Sequence, residues 1–363
     1  MENAKHREDK LRRHCRDARN ATVWAFFAIC ILEVIGAILI DWCPLDVRFP
    51  HAATVVEAFK APQRPAEIVC LGSSRFGCSI DDRRVQGHLR SLTGDASVQA
   101  FNASVAGGDL VTSALILSHL VSAGTPRIVV IEITPEYICR KNRWLAIHLT
   151  RELTWRGIAP FLPDVISSGA LSRFASSRLV PWYRHRSHFR EWLVECVSGS
   201  PSPSQRVILP WMRSDWIAPS HPHDMAALEA TRTNLRGYRK WLQDYEIGGG
   251  PALFLGDLLR LCRDRNIRAL LVGAPLSSSH RALYTPQIEE SFGVYMRDLN
   301  QKYGCAFIDL RSSVPDSEFS DSHHVDEAGR IRFSEILARE ILSPELDRFH
   351  HKDTKKTKTS YDQ

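Results

Sequence analysis

The sequence predicts an α/β fold, a three-layer α/β/α sandwich around a mostly parallel central sheet, preceded by one transmembrane helix and interrupted by a mainly helical insertion. Three observations predict it. Short apolar runs alternate with helix-like stretches on either side of a long gap, the order that builds a parallel sheet with covering helices. At 363 residues, 44% hydrophobic and 24% charged, the composition is that of a globular chain. A single long apolar run stands near the N-terminus.

The first element, residues 1–20, is basic, with Lys5, Arg7, Lys10, Arg12, Arg13, Arg16 and Arg19 against four acids. Residues 21–42 follow as the membrane span. From Thr22 to Ile40 there are nineteen residues with one charge, Glu33, just enough at helical rise to cross a hydrocarbon core. A buried core helix is the other reading of such a run. No small-residue cleavage site follows, so the span reads as an uncleaved signal anchor. The basic flank places the N-terminus in the cytoplasm and exports the remainder to the periplasmic side. Glu33, costly in lipid, is expected to face a partner helix or to snorkel.

Residues 43–65 are punctuated by proline and read as a linker. The domain body is expected over 66–345. "EIVCLG" reads as a buried strand, "DDRRVQGHLRSLTG" as a helix, "SVQAFNAS" as a strand and "DLVTSALILSHLVSAG" as an apolar helix closed by Gly124. "RIVVIEIT" is a third strand, stopped by Pro135. The alternation breaks over about 136–250, then resumes with "GPALFLGDLLRLCRDRN", "IRALLVGAPL", "IEESFGVYMRDLNQKYG", "CAFIDL" and a final helix, "DEAGRIRFSEILAREIL". The polar tail, 346–363, is expected to be disordered.

Composition also excludes. The net charge of +6 is spread thinly, with no internal basic block or zinc-finger spacing, so nucleic acid is a poor candidate partner. Nine cysteines, an odd number, include Cys15 and Cys30 at or before the span and Cys70 and Cys262 in apolar segments; no C-x-x-C occurs and no disulfide framework is expected. "HPHD" at His221–Asp224 and "DSHH" pool imidazoles and carboxylates, but neither spacing is a known zinc pattern. Neither a metal nor a cofactor is expected.

Ligands of an open parallel sheet sit beyond the carboxyl ends of its strands, where "GSS" falls. A serine on a tight strand-to-helix turn is exposed, and nearby amides can stabilise an oxyanion, so Ser73 or Ser74 is a candidate nucleophile. Gly-Ser-Ser equally makes an ordinary turn or N-cap. A serine needs a base, and Asp321 stands three residues before His324 in the loop entering the last helix, a spacing that lets the carboxylate hold the imidazole by Nδ1 while Nε2 faces the serine. His323 is its rival, and a helix cap by Asp321 or Asp326 is the structural alternative. In "FNASVAGGDL", Asn102 ends the second strand, and Gly107 and Gly108 can bring a backbone N–H close to a substrate oxygen.

These three stretches resemble the SGNH hydrolase superfamily, the GDSL-type esterases and acyltransferases, whose fold is flavodoxin-like. The resemblance covers the frame from about Glu67 to Leu342 without the insertion. It implies catalytic roles for Ser74, His324 and Asp321, the last two in an Asp-x-x-His followed by Gly329. It implies an oxyanion hole from the N–H groups of Ser74 and Gly107, "NASVAGGD" being similar to a form seen in the thioesterase and lysophospholipase branch. The chain departs from the family at the third strand. A Gly-x-Asn-Asp should supply the last oxyanion donor there, and Thr134, Glu136 or Tyr137 occupies that place instead. Asn102 or a group from the insertion is the candidate replacement.

The serine in the second position of the turn, Ser73, the arginine after the nucleophile and the N-terminal anchor look like the membrane-anchored branch that serves acylation of envelope polymers beside a membrane-bound O-acyltransferase. That resemblance implies an acylated envelope glycan as substrate. A catalytically lapsed glycan-binding or scaffold module is the alternative. Seven of the nine tryptophans lie between Trp144 and Trp241, alongside Arg140, Arg143, Arg151, Arg156, Arg184, Arg186 and Arg190. Such side chains suit sugar rings and acidic polymers, although a helical cap would use its tryptophans as its own core. Placed between the third and fourth strands, the insertion is the candidate lid.

Overall fold

The computed structural model describes residues 2–43, 45, 49–61, 65–140, 153–159, 162–167, 170–179, 190, 193–194, 196–198, 210–212, 218 and 225–349. Helix α1 (Glu2–Trp42) is continuous through the basic segment and the apolar run. Its stretch Arg13–Leu39 is long and apolar enough to cross a membrane. Large apolar side chains along it, from Val23 to Leu39, are exposed, a surface that suits hydrocarbon rather than water.

The stretch expected as a linker holds a helix, α2 (Pro50–Lys60). Pro50 stands in the first turn, where its missing N–H costs nothing, and Ala52, Ala53, Val55, Val56 and Phe59 form one buried face. Proline therefore starts a helix here, and α2 belongs to the domain body.

Five strands make one parallel sheet: β1 (Ile68–Leu71), β2 (Ala100–Asn102), β3 (Ile128–Glu132), β4 (Arg268–Gly273) and β5 (Ala306–Asp309), in the order β2-β1-β3-β4-β5. That is the flavodoxin-like order, with its switch point between β1 and β3. Between the strands run α3 (Ser74–Ser79), α4 (Asp82–Thr93), α5 (Leu110–Ala123) and α6 (Pro135–Ile138). The insertion contributes α7 (Trp155–Ile158), α8 (Leu162–Ser167), α9 (Ala170–Leu179) and α10 (Met225–Leu242), so its described residues are mostly helical. The frame closes with α11 (Gly249–Asp264), α12 (Ser278–Arg281), α13 (Pro286–Tyr303) and α14 (Glu327–Ile336).

Strand alternation sorts the core into two faces. Val69, Leu71, Val129, Ile131 and Leu271 pack with α2, α5, α11 and α13. Ile68, Cys70, Ile128, Val130, Leu270 and Val272 pack with Val85 and Leu89 of α4 and Phe333 of α14. With both faces covered, the central strands are apolar between their ends, as a parallel sheet requires, with Glu132 closing β3 and Arg268 opening β4. After α14 the helix continues as a π turn (Leu337–Leu342) and on to residue 349, with Leu346 fully buried. The tail expected from 346 thus begins in structure, because Leu346 and Phe349 still pack on this second face. Residues 350–363 lie outside the described residues.

Phe59 is 1% exposed and meets Phe101 edge to face at 5.6 Å between centroids. Phe59→Ala is expected to destabilise the domain by about 3–5 kcal/mol, measured by denaturant unfolding, whereas a linker residue would leave the midpoint unmoved.

Candidate active site

Gly72 follows β1 and carries no Cβ for a steric reason: one added there would lie 2.5 Å from Glu132 Oε2 and 2.8 Å from Phe76 Cβ. Ser73 is buried and structural. Its N–H donates to Glu132 Oε2 at 2.7 Å, its hydroxyl donates to the same oxygen at 3.0 Å, and its Oγ caps α3 by accepting the Arg75 N–H at 3.1 Å. Ser74 is half-buried, and its Oγ lies 2.8 Å from His324 Nε2. Of the two serines, Ser74 is the one that meets an imidazole.

The imidazole comes from the loop before α14. Asp321 Oδ2 accepts from His324 Nδ1 at 2.8 Å, and Oδ1 accepts the backbone N–H groups of His323 (2.8 Å) and His324 (2.7 Å). With Nδ1–H committed to the carboxylate, Nε2 is left to take the serine proton. Asp321 is therefore no helix cap; Asp326 fills that place, accepting the Gly329 N–H at 3.0 Å. Burial alone would raise the Asp321 pKa, but the His324 hydrogen bond and the two imidazoles outweigh it and hold the carboxylate below its usual range. His323 is buried, its ring tilted by 44° against that of His324 at 4.2 Å between centroids, with its Nδ1 at 2.9 Å from Ser322 Oγ. Burial first, then repulsion from His324, pushes its pKa well down.

The loop after β2 is pinned to the β1 turn. The Ala103 N–H donates to Cys70 O at 2.8 Å and the Val105 N–H to Gly72 O at 3.0 Å. Gly107 then turns with φ of 67°, a left-handed conformation that glycine takes without strain. Among the described residues, neither the Ser74 nor the Gly107 N–H has a protein acceptor. Asn102 requires correction. Its amide donates to Ile80 O (3.0 Å) and Gly77 O (3.3 Å), while its Oδ1 accepts the Ser104 N–H. Both amide hydrogens are thus used in tying the β2 loop to α3, and none is left for an oxyanion.

The neighbourhood of the missing asparagine holds a buried ionic network that the sequence did not reveal. Arg75 Nη1 donates to Glu136 Oε1 at 2.6 Å, and the Glu136 carboxylate also accepts from His280 Nε2 (3.2 Å) and the Tyr284 hydroxyl (2.7 Å). Burial would raise the Glu136 pKa, but Arg75 and these donors carry it well below the ordinary value. Burial lowers that of His280, despite Glu136. Arg75 is sandwiched between the rings of Tyr137 and Tyr238, at 5.4 and 5.1 Å. The clue to Glu132 was its acid at the end of an otherwise apolar buried run; nothing local pointed to His280 or Tyr238.

Two described parts of the insertion reach this edge. Tyr238 of α10 packs on Arg75 and on the rings of His280 (4.7 Å) and His323 (5.5 Å). Trp211 lies against Gly77 and donates from Nε1 to Ser104 O at 3.3 Å, so its ring is structural. Arg140 pairs with Glu246, and Arg156 is exposed. Trp144, Arg143, Arg151, Arg184, Arg186 and the His221–Asp224 run lie outside the described residues. Asp321, His323 and His324 are the only group of potential metal ligands among the described residues, within 4.8 Å of one another, and the one side-chain hydrogen bond among them joins Asp321 to His324.

No protein-family model matches the chain, and no curated protein does. Solved structures similar to it include a protein from Bacteroides fragilis provisionally described as an acylhydrolase, at 10% identity and TM-score 0.34, covering 81% of this chain and 95% of that one. A carbohydrate acetylesterase family member from Sinorhizobium meliloti has 13% identity and TM-score 0.32, covering 76% of this chain and 97% of that one.

Two outcomes follow from the site's electrostatics. Glu136→Ala leaves the Arg75 charge buried and unpaired and is expected to cost about 3–5 kcal/mol in denaturant unfolding. His280 and His323 have folded pKa values below the ordinary histidine value, so the unfolded chain binds protons first as pH falls. Their contribution is full above about pH 6.5 and is lost progressively below it. Wild-type Tm is expected to fall more between pH 7.5 and 5.5 than that of His323→Gln, as read by thermal scans.

Proposed function

We propose that the chain is a membrane-anchored serine esterase or O-acyltransferase of the SGNH type, acting on acyl esters of an exported envelope glycan. The observation that carries this reading is the unbroken chain Ser74 Oγ, His324 Nε2, His324 Nδ1, Asp321 Oδ2, with both contacts at 2.8 Å. It stands at the carboxyl edge beside the β1/β3 switch point, where open α/β sheets bind ligands.

In the proposed reaction Ser74 Oγ attacks the ester carbonyl carbon as His324 Nε2 takes the hydroxyl proton, with Asp321 stabilising the imidazolium. The N–H groups of Ser74 and Gly107 receive the developing oxyanion. Collapse breaks the bond to the leaving alcohol, which takes the proton from Nε2. Water or a sugar hydroxyl then attacks the acyl-serine, gives its proton to Nε2 and carries the acyl group away, and Ser74 regains its hydrogen. Anchoring by α1, with the domain on the periplasmic side, would hold the site at the membrane surface. A membrane-bound O-acyltransferase is the proposed partner that hands on the acyl group.

One observation favours the alternative of a lapsed scaffold or glycan-binding module. Asn102 is occupied, so the described residues offer two backbone donors and no side-chain amide, and one missing donor is worth about 10²–10³ in rate. A fluorophosphonate probe on the full chain in detergent separates the two. The expected result is one adduct on Ser74, lost in Ser74→Ala and slowed on the order of 10⁴-fold or more in His324→Ala. An adduct on Ser73 or elsewhere, or none with any acyl donor, would move the assignment to the scaffold.

A further inference from the structure

Ser73 and Arg75 flank the candidate nucleophile, and a single buried carboxylate holds both. Glu132 is 1% exposed at the end of β3, the middle strand. Its Oε2 takes the Ser73 N–H and the Ser73 hydroxyl together, and that hydroxyl oxygen in turn accepts the Arg75 N–H. The chain of bonds runs around Ser74 without including it. The N–H groups of both neighbours are satisfied, and the Ser74 N–H has no protein acceptor among the described residues.

We infer that Glu132 is a positioning residue for Ser74: its negative charge clamps the turn so that the serine's N–H and Oγ face the substrate side. The inference rests on the esterase reading above and deepens it.

An ionised oxygen accepting two donors holds them about twice as strongly as a neutral one, which is what a fixed turn needs. An amide would fit the same space without the charge. The charge is costly to keep. Burial pushes the Glu132 pKa up, opposed by Arg75 and by the hydrogen bonds of Ser73 and Tyr137, and the Cys78 thiol also senses the carboxylate. By linkage a raised carboxylate pKa means stability that is present in acid and lost as pH rises through the folded value, so ionised Glu132 works against folding. A buried charge that lowers stability beside a nucleophile is where function outweighs fold.

The test compares the full chain with Glu132→Gln and Glu132→Ala, reading fluorophosphonate labelling rates at Ser74 from pH 5 to 8 and Tm at each pH. Glu132→Gln is expected to melt at or above the wild-type temperature at neutral pH and to label about 10-fold more slowly, the deficit of a neutral acceptor. Its deficit should shrink toward none in acid, where wild-type Glu132 takes up its proton. Glu132→Ala should be slower still, by about 10²-fold, as the turn relaxes and the oxyanion donor strays. Should Glu132→Ala fail to fold, the isosteric glutamine variant decides alone. Wild-type labelling at Ser74 with an equal rate in Glu132→Gln would overturn the inference and leave the esterase reading intact. Failure of the wild type to label at Ser74 would overturn both.

Discussion

The contact between the Ser73 peptide and the buried Glu132 carboxylate fixes where everything else at the sheet edge must go. It follows from strand register. Leu71 pairs with Ile131, so the next residues, Gly72 and Glu132, are neighbours, and the carboxylate occupies the space that a Gly72 side chain would need. A glycine at 72 and an acid at 132 are therefore one choice made at two positions 60 apart. Because the β1 turn is held from β3 and also receives the Val105 N–H from the β2 side, it is braced across the switch point in both directions. Ser74 is carried on that brace and not on a free loop, which is the condition for a preorganised nucleophile.

Charge is arranged there in pairs. Arg75 is answered by Glu136 and screened by two tyrosine rings, while His280 and His323 stay neutral through burial. Of these three imidazoles, that of His324 hydrogen-bonds a carboxylate from one nitrogen and a hydroxyl from the other, and it is the one left partly open to solvent. Three histidines thus crowd one edge, yet their surroundings leave only one equipped to exchange protons with a bound molecule. His323, the rival by sequence, is disqualified by depth rather than by type.

What the sequence made legible was whatever is encoded locally. The five strands were readable because a strand inside a covered parallel sheet carries a run of apolar residues, and α4, α5, α11, α13 and α14 because their periodicity and caps lie within one stretch. The meeting of Ser74, Asp321 and His324 could be expected because a turn and a three-residue spacing are local signals. The failures share one cause. Pro50 read as a break because the buried face of α2 is visible only once α5 exists to receive it. Asn102 read as a free donor because its acceptors, Gly77 and Ile80, approach only in the folded loop. Single contacts of the Arg75–Glu136–His280–Tyr284 network span up to 148 positions, and no window of sequence contains it.

That distance has a kinetic consequence for the site itself. Ser74 and His324 are separated by 250 positions, and their contact can close only after β4, β5 and α14 have docked on the sheet that β1 and β3 begin. The closure entropy of so long a segment grows slowly with length, so the insertion adds little to the equilibrium cost of bringing the two ends of the relay together. It does delay the event, since non-local pairings form late. The Ser73–Glu132 contact bridges only 59 positions and needs no more than the pairing of β1 with β3. The turn is thus held by contacts that do not involve His324, so its geometry does not depend on the imidazole that meets Ser74.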